Sequence, residues 1–141
     1  MKAKIAKEFT WEMSHRLPYH DDACKNIHGH SYKMRIELEG EMDDKGMVMD
    51  YYDIEKIVRP LINKLDHAFI CDKDDQMMIE FLSKNHFKHV IIETYTTAEN
   101  IVHYMINYLK HDLEKHRNIN KMTVRLQESA DVFAEQHIEL N

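Results

Sequence analysis

Two stretches of strict alternation constrain this chain more than any other feature. In the first, Ile5, Lys7, Phe9, Trp11, Met13 and His15 share one face, and Ala6, Glu8, Thr10, Glu12 and Ser14 share the other. In the second, from about His28 to Glu39, the apolar face holds His28, His30, Tyr32, Met34, Ile36 and Leu38. Ser31, Lys33, Arg35, Glu37 and Glu39 lie opposite. A period of two marks a half-buried strand. Antiparallel pairing brings the end of the first strand beside the start of the second. His15, His28 and His30 then gather on the inner side of the sheet, at one end. A surface histidine cluster would fall on the polar faces instead.

The remaining segments alternate between turn signals and periodic runs. Gly40 to Gly46, with Asp43-Asp44-Lys45, reads as a turn, and Met47-Val48-Met49 as a short strand. Asp50 and Asp53 suit a helix N-cap and its third-position partner, and Ile54, Ile57, Val58, Leu61 and Leu65 follow at helical spacing. Pro60 predicts a kink in that helix, or two shorter ones. Leu65-Asp66-His67-Ala68-Phe69-Ile70 follows it. A loop with a short helical piece is expected over Asp72 to Asn85, and a short strand over His89 to Glu93. Thr96-Thr97-Ala98-Glu99 is a capping-box sequence ahead of a helix through Ala98, Ile101, Val102, Met105, Ile106 and Leu109. A strand over about Lys121 to Glu128 puts Glu128 at the end of the apolar row Met122, Val124 and Leu126, and a last strand covers roughly Val132 to Leu140. This order predicts an α+β fold, an antiparallel sheet with two helices on its apolar face.

Bulk properties narrow the function. A length of 141 residues predicts one domain, residues 1–141. A net charge of −6 argues against a general nucleic-acid partner, which needs a basic face. No apolar run approaches the ~20 residues that cross a bilayer, so no membrane partner is expected. The first residues lack the apolar stretch of a secretory signal, and Cys24 and Cys71 read as free thiols. Both point to the cytoplasm.

The chemistry rests on a few side chains. Three neutral imidazoles can hold a divalent metal and leave a fourth position open, as in catalytic zinc sites; the alternatives are a hydrogen-bonded core cluster or a closed zinc site. An all-nitrogen set also suits iron, nickel or copper, with zinc the best choice. Cys24 has Asp21, Asp22, Lys25 and Asn26 around it, so it sits on a loop. There its thiolate could act as a base, or its sulfur could be a fourth zinc ligand or a structural thiol. Asp66-His67 is either a solvated helix end or a carboxylate that sets the tautomer of an imidazole for proton transfer. Glu128 needs a partner if buried. An internal Arg or Lys would serve, and so would a ligand with adjacent N–H donors, such as the amidine edge of a heterocycle.

Taken together, His15-Arg-Leu-Pro, Cys24-x-x-x-His28-Gly-His30-Ser-Tyr, Gly46-Met-Val-Met-Asp50-Tyr, Leu65-Asp66-His67, Thr97-Ala-Glu-Asn100 and the late Glu128 resemble the 6-pyruvoyl- and 6-carboxy-tetrahydropterin synthase family. The match runs over nearly the whole chain, and the order and spacing of its motifs are highly specific. The resemblance implies the tunnelling fold: a four-stranded antiparallel sheet with two helices packed on one face. Subunits of that fold join sheets into a barrel, commonly as homohexamers, with active sites between subunits. It implies Zn²⁺ on His15, His28 and His30, Cys24 as proton acceptor, and Asp66 with His67 as a proton relay. Glu128 would anchor the pterin ring and is often counted with the relay, and Thr97 would help seat the ring.

The three-residue spacer between Cys24 and His28 resembles the bacterial carboxy-forming branch of queuosine precursor synthesis. Thr96 stands where many relatives carry proline. The expected activity is that of a zinc-dependent lyase that converts 7,8-dihydroneopterin triphosphate to 6-carboxy-5,6,7,8-tetrahydropterin, acetaldehyde and triphosphate, without a redox cofactor. The alternatives are the pyruvoyl-forming synthase, a zinc hydrolase, and a non-catalytic pterin- or metal-binding module. Arg16, Lys25 and Lys33 are the nearby cations suited to the triphosphate.

Overall fold

The computed structural model describes residues 1–141. Strands β1 (Lys2–His15) and β2 (His28–Glu41) pair antiparallel along their whole lengths, from Lys2 opposite Glu41 to His15 opposite His28. β5 (Ile119–Ser129) continues the sheet beside β2, and β6 (Val132–Glu139) beside β5, both antiparallel. On the other flank β3 (Ala68–Asp72) runs parallel to β1, and β4 (His89–Ile92) parallel to β3. The sheet therefore has six strands, ordered β4-β3-β1-β2-β5-β6. It is mixed, not the four-stranded antiparallel sheet expected.

β4 falls within the short strand expected over His89 to Glu93, but β3 was not expected, because it does not alternate. Every residue of β3 is buried. Ala68 and Ile70 face the main core, whereas Phe69 and Cys71 pack with Met78 and Leu82 of α2 (Gln76–Lys84) on the opposite face. A strand covered on both sides loses its polar row. α2 is thus a third helix, and it lies on the face expected to be bare. α1 (Tyr51–Leu65) and α3 (Ala98–Glu114) cover the expected face, against β1 and against β5 and β6 respectively. Phe9, Trp11, Met34, Ile36, Val124 and Leu126 supply the sheet side of that core, and Ile54, Val58, Leu61, Ile101, Met105 and Leu109 the helix side.

Local chemistry explains the other departures. α1 starts where Asp50 accepts from the Tyr52 N–H at 2.8 Å, as expected. It runs unbroken through Pro60. The bond that Pro60 cannot donate would have gone to Lys56, and both residues lie on the exposed side, where water can serve the freed carbonyl. Met47-Val48-Met49 forms no strand; Val48 and Met49 are simply buried under the core. α3 is capped by Thr97, whose Oγ1 accepts from the Asn100 N–H at 3.2 Å, and not by Thr96.

Beyond the reach of α2, the second sheet face carries charge. Lys4–Glu37 (3.6 Å), Lys121–Glu39 (3.7 Å) and Arg125–Glu135 (2.9 Å) are cross-strand pairs. Arg35 and Arg125 stand directly opposite each other; Arg35 shares Glu37 with Lys4, and Arg125 pairs with Glu135. Gly40 marks a register shift between β2 and β5, and a Cβ there would collide with the Asn118 backbone carbonyl. Gly40→Ala should lower the unfolding free energy by about 1–3 kcal/mol, read from urea midpoints at constant slope.

Candidate metal centre and active site

His15 ends β1 and His28 begins β2, and the register sets them face to face, with His30 opposite Met13. Ring centroids are 4.6 Å apart for His15–His28, 5.2 Å for His15–His30 and 5.1 Å for His28–His30. Each ring offers one nitrogen, all within 4.8 Å of one another. The Nδ1 of His15 meets the Thr96 carbonyl at 2.8 Å, and the Nδ1 of His28 meets the Asn26 carbonyl at 2.7 Å. A carbonyl only accepts, so each Nδ1 is assigned the proton and each Nε2 the lone pair.

The His15 and His30 Nε2 atoms are 3.2 Å apart. Two nitrogens at ~2.0–2.1 Å from one tetrahedral ion lie roughly 3.3 Å from each other. The donor set therefore fits zinc. Burial pushes the His15 pKa down to about 4, partly opposed by the Thr96 bond and assisted by the other two imidazoles. His15 is then neutral, as a ligand must be, at ordinary pH.

Glu128 comes from the irregular end of β5. Its Oε2 is 3.0 Å from His30 Nε2 and 3.6 Å from His15 Nε2, and the Tyr32 hydroxyl donates to it at 3.5 Å. Its partners are imidazoles and a phenol, not the internal Arg or Lys considered from sequence. Burial and then the neighbouring carboxylate raise the Tyr32 pKa well above the ordinary phenol range, so the phenol stays a donor.

Cys24 sits in a short turn of residues Ala23–Lys25, half-buried, its carbonyl receiving the Leu17 N–H at 2.7 Å. It lines a cavity of about 290 Å³ with His15, His28, His30, Thr97 and Glu128. Its sulfur is outside the three-nitrogen cluster. Six of the eight residues singled out from sequence thus share one cavity.

Asp66 and His67 do not. His67 lines a separate cavity of about 400 Å³ with Glu12, Ser14, Gly29 and Ser31, on the other side of the sheet, and His30 alone is common to both. The two residues still form a constructed pair. Asp66 Oδ1 is 2.9 Å from His67 Nδ1 and accepts the Glu12 N–H at 3.1 Å, while the His67 N–H donates to the Glu12 carbonyl at 2.7 Å. His67 takes a left-handed φ of 58°, uncommon outside glycine. Lys88 Nζ donates to the Asn63 and Asp66 carbonyls at 2.7 and 2.6 Å and so ties down the end of α1.

The Glu12 N–H bond, followed by His67, holds the Asp66 carboxyl below the usual aspartate range. The stability that this arrangement contributes is complete above the unfolded aspartate pKa. It is lost as pH falls through the depressed folded value.

Some surrounding residues escaped the sequence reading. Tyr32 was legible, two residues beyond His30 on the same strand face. Lys88 and Asp75 carried no local signal, and Thr96 carried only that of a helix cap. Asp75 accepts Arg16 Nε and Nη2, each at 2.8 Å, so Arg16 is held in a two-pronged pair.

The fold and the three-histidine cavity define a small α+β protein with a candidate metal site. Residues 4–139 match the family described as 6-pyruvoyl tetrahydropterin synthase, and the chain belongs to that family. It is 36% identical to the 6-carboxy-5,6,7,8-tetrahydropterin synthase of Haemophilus influenzae over 140 residues, covering 94% of this chain and 96% of that protein. It is 31% identical to the Aquifex aeolicus protein of the same name, over 82% of this chain and 83% of that protein. The crystal structure of 6-pyruvoyl tetrahydropterin synthase from Plasmodium vivax superposes with a TM-score of 0.80 at 21% identity over 99% of both chains. An uncharacterized Wolinella succinogenes protein does so with a TM-score of 0.81 at 21% identity, over 96% of this chain and 98% of that one. These two structures speak to the fold alone. The named relatives support a pterin lyase. No helix is long and apolar enough to cross a membrane.

The two thiols should differ in reactivity. Cys71 is 1% exposed, and burial pushes its pKa up to about 11. At pH 8 an alkylating reagent should modify native Cys24 and leave Cys71 unlabelled until denaturant is added, as read by peptide mass spectrometry.

Proposed function

We propose that this chain, acting as one domain, is a zinc-dependent 6-carboxy-5,6,7,8-tetrahydropterin synthase. The observation that carries the reading is the convergence of His15, His28 and His30 on one cavity that also holds Cys24, Thr97 and Glu128. His15, His28 and His30 would hold Zn²⁺, which when bound supplies Lewis acidity toward the substrate's side-chain hydroxyls. Cys24 takes a proton from the side chain as thiolate. Glu128 receives two N–H groups from the pterin amidine edge, and Thr97 seats the ring. Triphosphate leaves from 7,8-dihydroneopterin triphosphate, the ring is reduced at the expense of the side chain, and a retro-aldol-type cleavage that consumes one water leaves the 6-carboxylate on the ring and releases acetaldehyde. No external redox cofactor is needed.

The position of Asp66 and His67 adds a requirement. Within one subunit they face away from Cys24, so their relay role needs a neighbouring subunit that brings its own pair to this cavity. That supports a homo-oligomer, a hexamer by family resemblance, with sites between subunits. Both edge strands, β4 and β6, are unpaired on their outer sides within the subunit, which also favours assembly. The carboxy branch is favoured over the pyruvoyl branch by the names of the relatives with the higher identity.

Incubation with 7,8-dihydroneopterin triphosphate should yield 6-carboxytetrahydropterin and acetaldehyde by mass analysis. A 6-pyruvoyl product with no two-carbon fragment sinks the branch assignment. Cys24→Ala should lose at least about a hundredfold in kcat while keeping its metal. Retention of substantial activity would point instead to a hydrolase, and ligand binding without turnover to a binding module. Cys24→Ala and His67→Ala, each inactive alone, should recover up to about a quarter of wild-type turnover when their subunits are unfolded together and reassembled at random. No recovery would place the relay elsewhere.

A further inference from the structure

We propose that Thr96 is a positioning residue of the metal centre, the group that fixes which nitrogen His15 presents. The inference rests on the zinc reading given above. Thr96 is fully buried and precedes α3, whose cap is its neighbour Thr97, so its hydroxyl is free for another task. That hydroxyl donates to the Arg16 carbonyl at 3.2 Å. Its proton is therefore committed, and its lone pairs face the His15 Nδ1 at 3.1 Å. The Thr96 carbonyl meets the same Nδ1 at 2.8 Å. One residue thus gives the imidazole N–H two acceptors, and the ring is held with Nε2 toward His30 and Glu128.

The hydroxyl does more than duplicate the carbonyl. It bridges two consecutive residues of the chain, His15 through its ring and Arg16 through its backbone. Arg16 is in turn clamped by Asp75, whose side chain is 4% exposed. The imidazole is thereby referenced to a rigid ion pair at the N-terminus of α2 and to the start of α3. A proline at this position would keep the carbonyl acceptor and lose the hydroxyl bridge. A metal ligand held in one tautomer and one orientation loses less freedom on binding, and removal of such a partner typically costs about 10–100-fold in metal affinity.

Thr96→Val preserves shape and removes only the hydroxyl. Zinc dissociation constants measured by competition against a chromophoric chelator should rise about tenfold or more in Thr96→Val and stay within about threefold of wild type in Thr96→Ser. Equal affinities for wild type and Thr96→Val overturn the proposal, whatever happens to the melting temperature. Should Thr96→Val fail to fold, long-range ¹H–¹⁵N spectra of metal-free wild-type protein decide. A His15 ring protonated at Nδ1 supports the assignment, and one protonated at Nε2 defeats it. The metal reading fails separately: in that case wild type and His28→Ala would bind zinc equally weakly.

Discussion

The pairing of β1 with β2 is the constraint on which the rest depends. Side chains alternate along a strand, so a slip of one residue would turn Phe9, Trp11, Met13 and His15 outward together. The apolar rows of both strands resist that slip along fourteen residues each. The same register puts His15 opposite His28. The energy that fixes the histidines is therefore spread over the whole hairpin and is not supplied by contacts among the histidines themselves. A site built this way is preorganised by its core, and the imidazoles need only the correct tautomer to be ready for an ion.

What could be read from the sequence follows this logic. Wherever one face is buried and the other wet, as in β1, β2 and β5, parity alone identified the inward row, down to Glu128. The helical spacing of α1 and α3 was equally plain. β3 was missed because α2 covers its second face, so Phe69 and Cys71 look no different from Ala68 and Ile70. Pro60 does not split α1, because the cost of an interior proline depends on whether the freed carbonyl is solvated, and spacing does not report that. Thr96 misled for a different reason: two adjacent threonines can each cap a helix, and only the tertiary position of His15 decides which one does. Partners such as Lys88 to Asp66, or Asp75 to Arg16, join residues far apart in the chain and leave no local trace.

The geometry divides the chemistry between two sides of one sheet. The cavity with Cys24 collects the groups that would bind and deprotonate, whereas Asp66 and His67 are mounted on the opposite side. They are fixed there by Glu12 backbone bonds, a left-handed turn and the Lys88 ammonium. A relay role for this pair, as proposed above, would have to be exercised on a neighbour's cavity. Each subunit would then be a donor of one half-site and an acceptor of another.

The charged face of β1, β2, β5 and β6 has its own consequence. Lys4, Arg35, Lys121 and Arg125 alternate with Glu37, Glu39 and Glu135, each cation already answered within the same sheet. A greasy surface laid over this lattice would strand those ions out of water, and an unrelated strand would meet mismatched charges at every second residue. The lattice therefore favours water, or a surface whose polar groups fall into step with it, over an apolar partner.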